Sequence, residues 1–424
     1  MKAKTMIERR TFLAGIGAAA GTMAGLGNAG AQTTTDPWRD LRAQFQFPPG
    51  YAYFNTAGLG ACPRVVSDRV KAEMDREEQA PSAAHSEADW ARIRGKCASL
   101  LGPSCSASDI ALVSTATEGI NIILNGVSFK PGDEVVTSTH EHPAVVIPLL
   151  HKMQTSGIVV RTFDPDSRTR AGNVERIRAL LTPRTRMIVV SHVTCTTGQI
   201  LPLADIGRLA AERQVWFAVD GAQSLAQFPI DIAATGAHCY TASCHKWLMG
   251  PKRTGILYVR KDRLPELASV VVGAYSDQTT SLADRRLTLR ADADRFEYGT
   301  QNDALVYGIE TAADLVAALG LPRVWEYSRA MAERFRTTLQ AQTPVELLSP
   351  AEPEARSAMV TFRFPGRDNG QVANALSGRR LRVRSVTEAG LNAVRASFHV
   401  CNTDAEVDRL IEGVAAVGRG LSLA

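Results

Sequence analysis

Residues 215–224 read VWFAVDGAQS, and this stretch decides the fold because five apolar residues lead directly into Asp220 and Gly221. An uninterrupted apolar run of this kind is typical of a strand that is buried on both faces of a sheet. In α/β sheets, ligands bind beyond the carboxyl ends of such strands. The stretch therefore predicts a central strand over 215–219 and locates a candidate site just after it.

Six similar β-rich runs alternate with helical stretches along the chain. The seven predicted strands cover 110–114, 134–138, 159–163, 187–191, 215–219, 239–242 and 255–259. Because strands that alternate with helices form parallel sheets covered by helices, we expect an α/β fold with a seven-stranded, mainly parallel sheet.

A chain of 424 residues, 45% of them hydrophobic, can bury one large domain and one smaller domain. We place the large domain at 61–308, and a linking helix with a small C-terminal α+β domain at 309–424. Residues 32–60 are expected to contribute to the small domain. Its predicted strands and last helix cover 359–364, 380–386, 393–399 and 404–417.

The N-terminus has the parts of a targeting segment. Residues 8–13 read ERRTFL, an Ala/Gly-rich stretch follows over 14–27, and residues 29–31 read AGA. This order of paired arginines, weakly apolar residues and small residues is typical of a twin-arginine signal, with a frayed helix as the alternative. We expect a signal peptide over 1–31 and export of the folded protein to the periplasm by the twin-arginine machinery.

The composition excludes some classes of partner. The formal net charge is +5 and much of it lies in the first ten residues, so the rest of the chain lacks the basic surplus of a nucleic-acid binder. Outside the N-terminus no apolar run reaches the length of a membrane span, so no stable membrane anchor is expected. The seven cysteines are irregularly spaced, which does not predict a disulfide framework.

Residues 243–251 read SCHKWLMGP and place Lys246 between a predicted strand and a Gly-Pro turn. A desolvated lysine there loses its proton readily and forms an imine with an aldehyde; an exposed turn lysine is the alternative. The buried carboxylate of Asp220 needs a cation, which a protonated pyridine nitrogen would supply, and Gln223 would reach the phenolic oxygen of such a ring. A helix N-cap is the alternative role for Asp220.

Two further segments complete the pattern. Residues 114–121 read STATEGIN, and the backbone amides at the start of the following helix, with the Thr117 hydroxyl, would bind a phosphate; a plain capped helix is the alternative. Residues 140–143 read HEHP and bring an imidazole that would lie flat on an aromatic cofactor. No metal is expected, because these histidines and Cys244 have no usual zinc spacing on one element.

These four segments, in this order, resemble the class V aminotransferase family of fold-type-I pyridoxal-phosphate (PLP) enzymes, which includes cysteine desulfurases and isopenicillin-N epimerases. The resemblance covers about residues 50–415 and implies pyridoxal 5'-phosphate as the cofactor. It implies a Schiff base at Lys246, a pyridinium partner at Asp220, a ring-oxygen contact at Gln223, and a stacked catalytic imidazole at His142. The phosphate would be held by Ala116, Thr117, Ser243 and His245.

The resemblance also implies substrate and subunit contacts. Thr300, in the segment FEYGTQN, matches a threonine that reaches the phosphate of the neighbouring subunit, which implies a homodimer. Arg395, in VRASF, matches the arginine that binds the substrate carboxylate, a task that suits its guanidinium fork; a surface salt bridge is the alternative. Asn55, in YFNTA, would lie near the substrate, with a plain turn residue as the alternative.

Two departures from the family pattern bear on function. Cys195 occupies the position at which desulfurases usually carry an asparagine beside the cofactor. Residues 382–391, RVRSVTEAGL, correspond to the desulfurase loop with the reactive cysteine and contain none. Sulfur transfer is therefore disfavoured, and segments 247–255 and 295–302 resemble the isopenicillin-N-epimerase branch more closely.

We therefore expect aminotransferase- or epimerase-type chemistry at the α-carbon of an amino acid or peptidyl amine. The alternatives are a cysteine desulfurase or lyase, and a cofactor-binding protein without turnover. A desulfurase would release alanine from cysteine, whereas a binding protein would exchange no substrate α-hydrogen with solvent.

Overall fold

The computed structural model describes residues 37–81 and 85–420, so the predicted signal peptide lies outside the described residues. The strands, numbered in chain order, are β1 Ala52–Tyr53, β2 Ile110–Val113, β3 Glu134–Ser138, β4 Val159–Phe163, β5 Thr185–Ser191, β6 Trp216–Asp220, β7 Cys239–Ser243, β8 Gly255–Val259, β9 Asp277–Ser281, β10 Arg286–Leu289, β11 Glu346–Leu347, β12 Met359–Arg363, β13 Leu381–Arg382, β14 Arg384–Val386 and β15 Ala393–Ser397. The α-helices are α1 Pro37–Arg42, α2 Arg64–Gln79, α3 Glu87–Ser99, α4 Ala116–Gly126, α5 Pro143–Ser156, α6 Arg170–Leu180, α7 Leu203–Glu212, α8 Ile232–Thr235, α9 Asp303–Leu319, α10 Leu321–Gln342, α11 Asn369–Gly378 and α12 Asp404–Gly420.

The large sheet has seven strands in the order β2-β8-β7-β6-β5-β3-β4, which confirms the predicted α/β class. All neighbours are parallel except β8, which runs antiparallel to both β2 and β7. The central strand ends one residue later than predicted. Asp220 pairs with Ser191 on one side and Thr241 on the other, so its carboxylate belongs to the last rung of the sheet.

Apolar side chains cover both faces of this sheet, which explains the uninterrupted apolar runs in the sequence. From β6, Phe217 and Val219 pack into one core cluster, whereas Trp216 and Ala218 pack into the cluster on the opposite face. With both faces buried, polar groups reach solvent only at the ends of the strands. The carboxyl ends of β5, β6 and β7 therefore present the polar residues.

The small domain is built on a four-stranded antiparallel sheet in the order β11-β12-β15-β14, with a buried core that includes Phe335, Phe362 and Phe398. The predicted strand over 380–386 is two strands. Residues of β13 pair with β1, whereas β14 pairs with β15, because the chain changes partner at Val383. The N-terminal segment thereby joins the small domain, and Asn55 bridges to Ser397.

The two domains are linked by α9 and α10, which meet at an angle of 79°. Gly320 lies between them at φ +80°, a left-handed conformation that favours glycine. Among the described residues no single helix is long and apolar enough to cross a membrane. Taken together, α9 and α10 have the length and apolar composition of a span, but the pair is bent.

Two buried histidines predict acid sensitivity. Burial lowers the pKa of His192 and of His399 to about 3 in each case. An imidazole in the unfolded chain titrates at about 6.5, so below that pH the unfolded state binds protons that the native state does not. We therefore expect stability to be fully present above about pH 6.5 and to fall progressively toward about pH 3.

Thermal unfolding midpoints measured across that pH range check this expectation. His399→Phe should flatten the dependence, whereas replacing the exposed His151 with alanine should leave the slope as it is. A midpoint that rises on acidification would contradict the assignment.

Candidate active site

A cavity of about 230 Å³ lies at the carboxyl ends of β6 and β7, beside the small domain. Most of the side chains predicted to form the site line it. They are Ala116, Thr117, His142, Asp220, Gln223, Ser243, His245, Lys246 and Arg395. The lining also includes Cys195, which stands where desulfurases usually carry an asparagine beside the cofactor, and Arg384, to which the family pattern assigned no role.

Lys246 and Asp220 are buried charges near the carboxyl ends of two neighbouring parallel strands, Asp220 as the last residue of β6 and Lys246 in the turn that follows β7. Lys246 is 8% exposed and Asp220 is 4% exposed. Burial lowers the pKa of Lys246, against the attraction of Asp220, and burial raises the pKa of Asp220, against the attraction of Lys246. The Asp220 carboxylate also accepts a hydrogen bond from the Ala222 N–H at 2.8 Å, which fixes its direction. A lysine whose pKa is lowered gives up its proton more readily than a free lysine, which favours reaction of its amine.

The Lys246 turn is held by the N-terminal segment. The Gly60 N–H donates to the His245 carbonyl at 2.8 Å, and a Cβ at Gly60 would lie 2.2 Å from the Lys246 carbonyl oxygen. Only glycine fits this close approach of two backbones.

We expect Gly60→Ala to destabilise the protein by about 1–3 kcal/mol and to reduce its PLP content, because backbone atoms cannot rotate away from the added methyl. Denaturant unfolding and cofactor quantification measure both effects. Gly95→Ala is the matched control, since a Cβ there meets nothing within 4 Å in the middle of α3. That control should be neutral or stabilising by up to about 1 kcal/mol. Equal stability of the two variants would refute the close approach.

The start of α4 forms an anion cradle. The Ala116 N–H points toward the cavity wall and donates to the Ser243 hydroxyl at 3.0 Å. The Thr115 hydroxyl caps the helix by accepting a hydrogen bond from the Glu118 N–H. The Glu118 carboxylate accepts a hydrogen bond from the Ser114 N–H. The N-terminus of an eleven-residue helix with adjacent hydroxyl groups suits a phosphate.

His142 and Gln223 are held by bonds within the chain. The His142 Nδ1 accepts from the Ala144 N–H at 3.1 Å, and burial, with the nearby Lys246 charge, lowers the pKa of His142 to about 4. The ring is therefore neutral and fixed at the N-cap of α5, as a stacking partner requires. Gln223 donates from Nε2 to the Ala57 carbonyl at 2.8 Å and accepts from Trp247 at 3.0 Å, which leaves one amide hydrogen for a ring oxygen.

Arg395 is a buried cation that lacks a carboxylate partner among the described residues. It is 1% exposed, donates to the Cys195 carbonyl, and lies 3.4 Å from the Asn55 Oδ1. Its Nε has no hydrogen-bond partner. Because a buried charge without an ion pair is costly, the cavity is built to receive an anion at Arg395. Asn55 contacts this arginine and does not itself line the cavity.

Thr300 lies elsewhere in its own chain. It is exposed, and it lines a separate groove of about 480 Å³ with Ser114, Glu118 and Tyr298. Within a single chain the structure therefore does not bring Thr300 to the cavity. A partner subunit would be needed for the contact that the family pattern implies.

Sequence reasoning missed Glu141 and Arg384. Glu141 is fully buried, accepts from the Ser138 and Ser191 hydroxyls and the Ser191 N–H, and burial raises its pKa to about 7. The sequence signal for Glu141 was its position between His140 and His142, but the interpretation of that segment considered the two histidines only. Arg384 lies in the segment 382–391, which the family pattern marks only as the counterpart of the cysteine-bearing loop. No cluster of His, Cys, Asp or Glu suited to a metal ion occurs in the described ranges.

The chain is similar in sequence to known proteins. The family model for aminotransferase class-V matches residues 52–410. A cysteine desulfurase of Salmonella agona strain SL483 is 31% identical over 329 residues, which cover 74% of this chain and 79% of that protein. A cysteine desulfurase of Salmonella typhi gives the same identity and coverage.

Solved structures show the same fold. The apo cysteine desulfurase of Thermococcus onnurineus NA1 aligns with a TM-score of 0.79 at 23% identity, over 90% of this chain and 98% of that chain. A lysine-to-alanine variant of C-DES with glycine covalently linked to its PLP aligns with a TM-score of 0.79 at 25% identity, over 88% of this chain and 98% of that chain.

Proposed function

The chain belongs to the class V aminotransferase family and uses PLP, and we propose that it cleaves the carbon–sulfur bond of a cysteine-type amino acid by elimination. The observation that carries the proposal is one cavity lined by buried Lys246 and Asp220 and by a buried Arg395 that has no carboxylate partner among the described residues. The relatives named above are cysteine desulfurases. They favour the desulfurase or lyase alternative over the aminotransferase or epimerase chemistry expected from the sequence.

The residues of the cavity fit PLP. The α4 N-terminus with Ser243 suits its phosphate, Asp220 suits its ring nitrogen, and neutral His142 suits its ring face. When bound, PLP supplies an electron-accepting ring that stabilises negative charge at the substrate α-carbon. Lys246 Nζ is the atom placed to hold the cofactor covalently in the resting protein.

Three side chains then act on the substrate. Arg395 binds the α-carboxylate and so orients the α-hydrogen. As a free amine, whose pKa is lowered by burial, Lys246 Nζ would take the α-proton as general base. Asp220 would keep the ring nitrogen of bound PLP protonated. As the α-proton moves to Lys246, a double bond forms between Cα and Cβ and the sulfur departs with the electron pair of the Cβ–S bond. Hydrolysis of the released three-carbon fragment gives pyruvate and ammonia.

Elimination is preferred to persulfide formation on the protein. The segment 382–391 holds no cysteine. Burial raises the pKa of Cys195 to about 11 and that of Cys401 to about 12, so neither thiol is a ready nucleophile. The sulfur then leaves directly and takes up a proton, as sulfide from cysteine and as a persulfide from cystine.

The test is a product assay with L-cystine and L-cysteine as substrates. Pyruvate and ammonia in equal amounts are the expected result, and Lys246→Ala should form neither. Alanine as the main product would overturn elimination in favour of desulfuration. Formation of the D-isomer would overturn elimination in favour of epimerisation. Formation of a keto acid, with conversion of PLP to its amine form, would overturn it in favour of transamination. No product from any amino acid would leave the cofactor-binding protein as the better account.

We also propose that the enzyme is a homodimer and acts in the periplasm. Exposed Thr300 and the exposed apolar residues Val270, Val271 and Val272 supply surface for a second subunit. The ERRTFL segment supports twin-arginine export. Light scattering of the purified protein tests the dimer. Fractionation of cells that carry Arg9→Lys and Arg10→Lys together tests the export, which this double variant should abolish.

A further inference from the structure

A second cleft lies between the large domain and α10, the helix that leads into the small domain. Its volume is about 400 Å³, and its walls include His192 and Phe228 of the large domain and Trp325 and Arg329 of α10. None of the residues that line this cleft also lines the cavity of Lys246. Because clefts of this size at domain junctions commonly bind small molecules, the charges and hydrogen bonds of its walls bear on function.

His192 is a buried polar side chain in the wall of the cleft. It is 8% exposed, and its Nδ1 has no hydrogen-bond partner in the described parts of the chain. Burial, followed by the charge of Arg170, lowers the pKa of His192 to about 3, so the imidazole is neutral at physiological pH. Since buried polar groups are normally hydrogen-bonded, this ring has bonding capacity that a ligand in the cleft would use.

Two arginines in the wall have no carboxylate partner within residues 37–81 and 85–420. The backbone N–H of Arg170 donates to the Glu352 carboxylate at 2.6 Å, but the half-buried Arg170 Nε has no hydrogen-bond partner. Arg329 donates to the Pro353 carbonyl at 3.4 Å and lies 5.7 Å from the centre of the Trp325 ring. Guanidinium groups with free donors suit a carboxylate, which they bind in a bidentate fashion.

The other charges of the cleft do not occupy these donors. Arg356 is paired with the Glu333 carboxylate at 3.0 Å. The lining includes the carboxylates of Glu354 and Asp231, which are both exposed, and Asp231 caps α8. Water screens exposed charges strongly, whereas a half-buried guanidinium is screened less. We therefore expect Arg170 to dominate the charge that a ligand in the cleft meets.

We propose that this cleft is a binding site for a small aromatic carboxylic acid, separate from the PLP cavity. The carboxylate would take the free donors of Arg170, and the neutral imidazole of His192 would add a hydrogen bond. The aromatic body would pack against Phe228 and Trp325, whose ring centroids lie 5.4 Å apart in a tilted arrangement. Most of the remaining lining is aliphatic, which disfavours a strongly hydrated anion such as inorganic phosphate.

Phenylacetate and phenylacetamide test this proposal, because they share one shape and differ in charge. We expect calorimetric titration of the PLP-loaded enzyme to show that phenylacetate binds about tenfold more tightly or better. It should also raise the thermal unfolding midpoint, since it contacts both sides of the domain junction. Equal affinity for the two compounds, or no binding of phenylacetate, would overturn the proposal. Binding is measured without turnover, so the result does not depend on the reaction at Lys246.

Three charge variants locate the bound acid. Arg170→Gln should weaken phenylacetate binding by about tenfold or more and leave phenylacetamide unaffected. Arg168→Gln is the matched control, because Arg168 is exposed, lies two residues earlier and does not line the cleft. Arg395→Gln should keep the affinity of the cleft, since Arg395 lines the PLP cavity. Affinity that Arg395→Gln removes and Arg170→Gln retains would place the acid in the PLP cavity and refute the second site.

A pair of variants without a change of charge tests the shape of the cleft. Ala234→Phe adds a ring at a position of α8 that lines the cleft and should abolish phenylacetate binding. Ala233→Phe, at the neighbouring exposed position outside the lining, should retain it. Undiminished binding in a folded Ala234→Phe protein would show that the acid does not occupy this cleft.

Discussion

Replacing Lys246 with alanine is expected to remove the visible absorption of covalently held PLP and to lower kcat by on the order of 10³-fold or more. The effect is large because one amine serves as the covalent anchor and as the base for the α-proton. Among the described residues that line the cavity, Lys246 is the single lysine. Spectra of the purified variant and single-turnover product formation measure the two losses separately.

The fold should survive this change. Lys246 is buried with a lowered pKa, so its removal deletes a charge that the interior tolerates poorly. Lys252→Ala, at an exposed position six residues later, is the matched control and should keep both the absorption and the rate. A yellow Lys246→Ala protein that still turns over would refute the assignment of this lysine.

Asp220→Asn is expected to retain the covalent cofactor but to lower kcat by on the order of 10²–10³-fold. The amide keeps the shape of the side chain and an oxygen for the Ala222 N–H, while it removes the negative charge that holds the ring nitrogen protonated. The expected signature is therefore slow chemistry with normal PLP content. Rates of α-hydrogen exchange with deuterated water report that step directly.

Asp231→Asn supplies the control for Asp220. Asp231 is exposed and caps α8 by accepting from the Ala233 N–H, and asparagine caps helices about as well. The Asp231→Asn variant should have the stability and the turnover rate of the unaltered protein. Asp220→Asn with an unaltered exchange rate would show that the carboxylate has a structural role only.

The sequence predicted the large sheet closely because inner strands such as β6 and β8 are buried on both faces, unlike the edge strand β4, so that their apolar runs mark their positions. The end of β6 was misplaced by one residue, since Asp220 is polar in character but still pairs within the sheet. Lys246 was recognisable because it follows such a strand and precedes Gly250. These features are local, so they can be recognised in the sequence without knowledge of the tertiary structure.

The bonds that join distant parts of the chain could not be predicted. The hydrogen bond from Gln223 to Ala57 spans 166 residues, and the contact of Arg395 with Asn55 spans 340. No local sequence pattern indicates which residues so far apart in the chain come into contact. Arg384 lies opposite Arg395 because of the register of β14 against β15, and a one-residue slip would separate them. The role of Thr300 depends on a second chain, about which a single sequence carries no geometry.

The attachment of residues 52–60 has a consequence for how the chain is made. Ala52 pairs with Leu381, and Gly60 meets the turn at His245, so an early part of the chain finds its partners among residues synthesised much later. Contacts of such high sequence separation are slow to form, because the entropy of closing a long loop must be overcome first. The cavity is therefore expected to close only after translation has ended. A ribosome-bound chain that stops before residue 381 should bind no PLP, and a transporter that accepts only folded cargo would reject it.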